Sequence, residues 1–245
     1  MFCRKIGSAF ILLFLSTTVC AADELPTPFP WTETVQVGYS GTGGNSTSSN
    51  LTGKFTSLYK RNKWVNTYKV DALQSSSGGT TNAQRFGSSA EFNYDFKPQF
   101  FSFLRGSSVY DQFNSFDLTT IAATGLGKRL FENDQISIDA QAGPGYRITR
   151  VAQTSVYYRD VITFISTAFD WEISDDASFQ ENLSTEIGKN NTATKLETVL
   201  STTIINNFDL ELSFTISHNS TIPAGTTLTQ NTDYRTDVTL LYSFT

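Results

Sequence analysis

The chain has 245 residues, of which 39% are hydrophobic and 17% charged, and its formal net charge at pH 7 is −5. This acidic excess excludes a nucleic-acid partner that is bound through bulk charge. Beyond residue 22, no apolar run approaches the roughly 18 residues that a membrane-spanning helix requires. The length predicts one domain, since barrels of this size form single units.

Residues 1–22 have the pattern of a secretory signal peptide. A basic start is followed by a largely apolar stretch over residues 6–19 and by small residues at the end. Such a leader is too short and wrongly flanked for a stable transmembrane helix. We therefore expect an exported protein whose mature chain begins at Ala22 or Asp23. A lipid anchor at Cys20 is a weaker alternative, because a bulky valine precedes this cysteine.

Both cysteines, Cys3 and Cys20, lie within this leader, so the mature chain has none. Without cysteine we expect no disulfide framework, no thiolate nucleophile and no cysteine-bound metal. One histidine and scattered carboxylates offer no metal site either, and no cofactor is expected. Removing Arg4 and Lys5 from the 18 basic residues leaves 16 against 23 acidic ones, a net charge of −7.

A lead-in and twelve strands are predicted for the mature chain. Residues 23–30 contain three prolines and indicate an extended segment before a barrel over residues 31–245. Apolar and polar residues then alternate with a period of two, which is typical of strands with one apolar and one polar face. The connections between the strands are predicted at residues 41–49, 61–63, 75–82, 97–99, 111–117, 131–134, 147–158, 174–176, 188–192, 205–207 and 218–231.

Two stretches do not follow the pattern. In the strand at 118–130, alternation does not decide which face is apolar. Pro144 stands near the end of the seventh strand, where proline cannot donate to a ladder. We predict that Pro144 marks a bulge or the rim of the sheet.

The order of the connections predicts an all-β fold, a twelve-stranded antiparallel up-and-down transmembrane β-barrel. Short turns alternate with longer loops around an even number of strands, as in outer-membrane barrels. Aromatic residues border the short turns, for example Tyr59 and Trp64, as in an interfacial girdle. The expected location is the outer membrane of a Gram-negative bacterium, with the bilayer and lipopolysaccharide as partners and both termini in the periplasm.

The last strand, Thr232–Thr245, carries apolar and aromatic residues at every second position. It resembles the closing strand of bacterial outer-membrane barrels, which the barrel-assembly machinery recognises during biogenesis, except that Thr245 follows the terminal aromatic. The alternative is an amphipathic strand at the end of a soluble β domain. The residues predicted to form the assembly signal are Tyr234, Val238, Leu240, Tyr242 and Phe244.

The chain also resembles the salt-induced outer membrane protein family, an uncharacterised group of Gram-negative outer-membrane β-barrels. The resemblance implies the fold and the location but little mechanism, and Gln112 stands where a basic residue is expected. The matching pieces are Trp31, Gly44-Asn45, Asp111-Gln112-Phe113, Gly125-Leu126-Gly127, Ala142-Gly143-Pro144-Gly145-Tyr146-Arg147, Thr236-Asp237 and Leu241-Tyr242-Ser243-Phe244.

The polar faces predict a charged barrel interior. Basic residues predominate in the early strands and acidic residues in the later ones, which suggests a narrow channel for small polar solutes or ions. The alternative is that these charges pair with one another and close a structural barrel. The residues predicted to line the lumen are Lys54, Lys60, Lys69, Asp71, Arg85, Glu91, Asp139, Asp170, Glu172, Glu186, Glu197, Asp209, Glu211, Arg235 and Asp237.

His218, the only histidine, supports a third and weaker hypothesis, a lipid-modifying enzyme. With Asn219-Ser220 beside it, it faintly resembles the His–Ser arrangement of outer-membrane lipid A deacylases. A serine nucleophile needs a base within hydrogen-bond reach and a third group that orients the base. The sequence offers no such third group, so no catalytic residue is predicted.

Overall fold

The computed structural model describes residues 30–42, 48–112, 114, 116–152, 154–221 and 230–244. The predicted signal peptide, residues 23–29, Gly44-Asn45, Phe113 and Thr245 lie outside the described residues. Among the residues described, no helix has the length and apolar character needed to cross a membrane.

Twelve strands account for most of the described chain. In chain order they are β1 (Trp31–Thr42), β2 (Ser48–Arg61), β3 (Trp64–Ser77), β4 (Thr80–Lys97), β5 (Phe100–Asp111), β6 (Phe116–Glu132), β7 (Ile136–Val151), β8 (Tyr157–Ser174), β9 (Ala177–Gly188), β10 (Thr192–Ile205), β11 (Phe208–Asn219) and β12 (Thr232–Phe244).

The strands form one closed barrel in which sequence neighbours pair and β12 pairs with β1. The closing seam joins Glu33–Val37 to Leu240–Phe244 in antiparallel register. Closure leaves no strand edge exposed, which a bilayer requires of any sheet. The prediction of an all-β, twelve-stranded, antiparallel up-and-down barrel is confirmed.

Most connections at one end of the barrel are longer than those at the other end. One end has tight turns, for example at Asn62-Lys63 and at Asn206-Asn207. Asn62 and Asn206 have positive φ, a conformation that asparagine tolerates better than most residues. The first described strand begins and the last one ends at this short-turn end, because Trp31 pairs with Tyr59 and Glu33 with Phe244.

The predicted long connection at 75–82 is wrong. β3 runs to Ser77 and β4 begins at Thr80, so only Gly78 and Gly79 form the turn, with φ of 59° and 79°. Two successive residues with positive φ make the tight hairpin turn that matches strand twist, and glycine adopts it without strain. The serines and threonines beside the turn belong to the strands and not to a loop.

The predicted connection at 147–158 is too long for a related reason. β7 continues to Val151 and β8 begins at Tyr157. Arg147 lies inside the barrel opposite Asp160, where acidic partners neutralise it. Its charge therefore does not mark a loop.

Pro144 lies within β7 and not at a bulge or rim, so that prediction is wrong. It pairs with Thr163 of β8. Towards β6 the register is the same on both sides of Pro144, with Ala123 opposite Gly145 and Leu126 opposite Ala142. Proline has no backbone N–H, so pairing with β6 is lost only at the positions beside Pro144. The strand tolerates this loss because its register does not shift.

Alternation turns apolar side chains outward, where lipid would contact them. In β11, Leu212 and Phe214 are 46% and 39% exposed, whereas Glu211 and Thr215 are buried. In β6, whose facing the sequence left open, Leu126 points outward and Ala123 is buried inside. This is the pattern of a barrel with an apolar outer surface and a mostly polar interior.

Aromatic pairs ring the short-turn end. Their ring centroids lie 4.8 to 6.4 Å apart, a range in which aromatic contacts are favourable. Amphipathic rings at one level are typical of the membrane–water interface. The pairs are Trp31–Tyr59, Trp64–Tyr94, Phe96–Phe100, Phe169–Phe179 and Phe208–Tyr242.

Candidate functional site

The barrel interior contains a polar cavity of about 510 Å³. Its walls come from β1 to β5 and from β7 to β12, and most of the lining side chains are hydroxyl, amide or charged groups. Among the described residues, charged lining side chains occur in equal numbers of each sign. The basic ones are Lys54, Lys69, Arg105 and Lys195, and the acidic ones are Glu91, Glu197, Asp209 and Glu211.

Hydrogen bonds orient the acidic groups of β11. Gln36 donates from Nε2 to Oε2 of Glu211 at 2.8 Å, and both residues are buried. Thr203 donates from its hydroxyl to Oδ1 of Asp209 at 2.7 Å. These bonds fix two carboxylates at the cavity wall, because one oxygen of Asp209 accepts from the adjacent strand β10 and one oxygen of Glu211 accepts from β1, across β12.

Ion pairs occupy the wall formed by β3 to β6. Asp71 pairs with Arg85. Arg105 Nη1 lies 3.2 Å from Oε2 of Glu91 on the neighbouring strand. A third pair joins Arg129 to Asp95 at 3.0 Å and spans β5. Each partner neutralises the other, so these charges leave little net field on this side of the interior.

Arg147 is the most buried charged residue among those described, with 2% of its side chain exposed. Its guanidinium lies 3.3 Å from Oδ2 of Asp160 and 3.3 Å from Oε2 of Glu186. It also donates to the main-chain carbonyl of Asn191 in the β9–β10 connection. Arg147 therefore fastens β8, β9 and that connection together near one mouth of the barrel.

The predicted lumen residues divide into two groups. Six line the cavity, namely Lys54, Lys69, Glu91, Glu197, Asp209 and Glu211. The others share the inward face of their strands, as their two-residue spacing from lining residues shows, but lie beyond the cavity. This second group is Lys60, Asp71, Arg85, Asp139, Asp170, Glu172, Glu186, Arg235 and Asp237.

The predicted separation of signs along the chain is weaker than expected. Arg105, Arg147 and Lys195 place basic groups on middle and late strands. Lys195 lies 2.7 Å from Oε2 of Glu197, and Arg235 lies 2.8 Å from Oδ2 of Asp237. Lys195 could have been found from its two-residue spacing to Glu197, and Arg147 from its place in the Gly-Pro-Gly-Tyr-Arg motif.

An aromatic cluster fills the interior beside the cavity. Phe101, Phe103 and Phe164 are buried with Ala123, and the rings of Phe103 and Phe164 lie 5.9 Å apart. The guanidinium of Arg105 lies 5.3 Å from the centroid of the Phe164 ring, within the range of a cation–π contact. Sequence alternation missed the cluster because its inward residues are apolar.

His218 lies at the long-loop end of β11, where its Nδ1 and the hydroxyl of Thr232 are 2.9 Å apart. The hydroxyl of Ser220 instead bonds Asn191 and accepts from the backbone N–H of Thr192. The described contacts thus direct the two side chains to different partners. This geometry adds no support for a serine–histidine site.

Four of the five predicted assembly-signal residues lie on the outward face of β12. Tyr234, Val238 and Leu240 are exposed there, and the ring of Tyr242 packs against Phe208 at 4.8 Å. The backbone of Phe244 pairs with Glu33, while its side chain lies outside the described part of the structure.

A closed antiparallel barrel with an apolar exterior, an aromatic rim and a charged interior defines the class of transmembrane β-barrel proteins. More specifically, the chain belongs to the family described as "Protein of unknown function, DUF481", which matches residues 35–244. The predicted resemblance to an uncharacterised outer-membrane barrel family is confirmed, whereas induction by salt stays a prediction.

The chain is similar to a known protein in sequence and to solved structures in fold. The chain is 22% identical over 214 residues to the uncharacterized protein YdiY of Escherichia coli (strain K12), which covers 87% of this chain and 83% of that protein. The structure of the COG4313 outer membrane channel from Pseudomonas putida F1 matches with a TM-score of 0.51 and 9% identity, over 87% of this chain and 95% of that one. The NanC porin matches with a TM-score of 0.48 and 12% identity, over 86% and 97%.

Proposed function

We propose that the protein is an outer-membrane β-barrel that forms a narrow channel for small polar solutes or ions. The observation that carries this proposal is the polar cavity of about 510 Å³ inside a closed barrel with an apolar outer surface. A polar, charged interior gives small solutes or ions a path that an apolar or filled interior would not give. A barrel of twelve strands is wide enough for such a path and too narrow for a general porin.

The charges of the cavity predict weak ion selectivity. Four basic and four acidic side chains line the wall, so the summed potential is small. Glu91 and Glu197 each face a basic partner, whereas the carboxylates of Asp209 and Glu211 bond neutral donors. Lys54 and Lys69 also have no direct ion pair among the described contacts, so they offset these two carboxylates, and we expect little preference between cations and anions.

We also propose a location and an orientation for the barrel. The barrel resides in the outer membrane of a Gram-negative bacterium with its short turns and both termini in the periplasm. Its outer surface contacts the bilayer and lipopolysaccharide, and the barrel-assembly machinery inserts it. The short-turn end supports this orientation, because outer-membrane barrels have short periplasmic turns.

A closed structural barrel is the second candidate function. The ion pairs along β3 to β6 and the buried phenylalanine cluster favour it, because both fill interior space. The two candidates differ in whether the cavity connects the two sides of the membrane.

Single-channel recording on purified, refolded protein in a planar bilayer tests the proposal. A heat-modifiable gel band would first establish that the barrel is folded. The channel predicts small, uniform conductance steps. Folded protein that gives no steps would contradict the channel and favour the structural barrel.

A further inference from the structure

Four residues form one inward row across β5, β6, β7 and β8. Phe103 lies opposite Gly125, and Gly143 lies opposite Phe164. The two glycines face each other so closely that a Cβ at Gly143 would overlap the Thr124 carbonyl oxygen and the Gly125 Cα. The row therefore has a phenylalanine ring at each end and two glycines, which carry no side chain, between the rings.

The missing side chains make room for the rings. Phe103 and Phe164 are 2% and 1% exposed, and their centroids are 5.9 Å apart although two strands separate them. Two residues closer to the short-turn end, the ring of Phe101 lies against Gly127. A Cβ at Gly127 would overlap this ring. Phenylalanines from the flanking strands thus cover the glycines of β6 and β7.

The cluster lies at the edge of the cavity. Arg105 and Ser166, which are two residues from Phe103 and Phe164 respectively, line the cavity, while none of its lining residues among those described belongs to β6. The rings therefore fill the interior in front of β6, and the polar cavity, which β5, β7 and β8 still border, occupies the remainder. Close packing holds the rings in place, because a side chain in a filled interior has few alternative rotamers.

We propose that Phe103 and Phe164, supported by Phe101 and the glycines beneath them, form a fixed constriction that sets the size limit of the channel. This inference rests on the proposed channel function and adds the element that determines its width. Because the rings cover the glycines of β6 and β7, they narrow the cross-section of the channel from that wall only. The solute then passes along the polar wall of the cavity. The size limit then depends on ring volume and not on charge.

The test compares paired variants in planar bilayers, with neutral polyethylene glycols of graded mass as size probes. Phe103→Ala with Phe164→Ala removes two inward rings, and Phe169→Ala with Phe214→Ala removes two outward rings as the matched control. We expect the inward pair to raise the conductance on the order of two-fold and to admit larger polymers, since width limits flow through a constriction. The outward pair should leave both properties unchanged.

Other outcomes separate this inference from the channel proposal. If the wild type conducts and the inward pair conducts equally, the constriction is wrong and the channel stands. If the wild type is silent and the inward pair conducts, the rings close the path, which supports the constriction and contradicts an open wild-type channel. If the wild type and the inward pair are both heat-modifiable and neither gives conductance steps, both proposals fail.

A gentler pair covers the case in which the alanine variant does not fold. Phe103→Leu with Phe164→Leu keeps apolar packing and removes part of the ring volume. An intermediate rise in conductance supports the constriction. Unchanged conductance in this folded variant overturns it.

Discussion

Gln36 of β1 and Glu211 of β11 are joined by a 2.8 Å hydrogen bond that passes over the closing strand β12. Both residues are buried, at 7% exposure each. The bond lies at the seam where the two ends of the barrel meet, and Gln36 itself pairs with Leu241 there. The hydrogen bond between these side chains thus reinforces the closing seam, where the backbones of β1 and β12 pair over a short stretch.

Gln36→Leu should destabilise the barrel by about 1–3 kcal/mol, because the buried carboxylate of Glu211 loses its donor. Glu211→Gln is the control, since its amide oxygen can still accept the bond and its change should be smaller. Urea unfolding followed by tryptophan fluorescence in detergent measures both free energies. Equal losses in the two variants would show that the hydrogen bond does not support the seam.

Arg147→Ala should cost about 3–5 kcal/mol, because it leaves the buried Asp160 and the partly buried Glu186 without their cation. Arg150→Ala provides the matched control on the same strand. Arg150 pairs with Asp117 at a more accessible position, and its loss should be much smaller. The same unfolding measurement applies, and similar midpoints for the two variants would contradict a structural role for the buried arginine.

Gly143→Ala should lower stability by about 1–3 kcal/mol, because a Cβ has no room between β6 and β7. Gly106→Ala makes the same chemical change at a position where a Cβ would meet nothing within 4 Å. Folded yield and urea midpoint should fall only for Gly143→Ala. A tolerated alanine at Gly143 would mean that the two strands can separate without cost.

The strand count could be predicted because alternation and connection length are local properties. The row Phe103–Gly125–Gly143–Phe164 could not, because it depends on the register of four strands at once. The predicted loop at 75–82 was also wrong, because serines and threonines occur both in loops and in strands, and only Gly78-Gly79 forms the turn. The Gly-Pro-Gly-Tyr-Arg motif was visible, but its role needs the neighbouring strand that its glycines contact.

Part of the site's geometry also follows from local sequence. Inward carboxylates such as Asp209 and Glu211 follow from two-residue spacing alone. Which charges neutralise each other does not follow, because Arg129 reaches Asp95 across an intervening strand and Arg147 reaches Glu186 across β8. Barrel curvature and side-chain length decide these pairs.

Tyr242→Asp should cause a large assembly defect. The direct cost of a carboxylate near the rim is about 1 kcal/mol or less, so stability alone does not produce this defect. Phe208→Asp removes the same ring contact from a strand that is not terminal, and should assemble better. Outer-membrane yield of heat-modifiable protein measures both, and equal yields would argue against recognition of the closing strand.

The most direct test of the central claim is the reversal potential of single channels in a salt gradient. Asp209→Asn with Glu211→Gln removes two cavity carboxylates while keeping acceptors for Thr203 and Gln36. Glu181→Gln is the control, because Glu181 is exposed and its strand partners Phe169 and Thr198 do not line the cavity. If ions cross through this cavity, the double variant shifts the potential toward anion preference and the control does not. An unchanged potential in the double variant, or an equal shift in the control, would contradict conduction through the cavity.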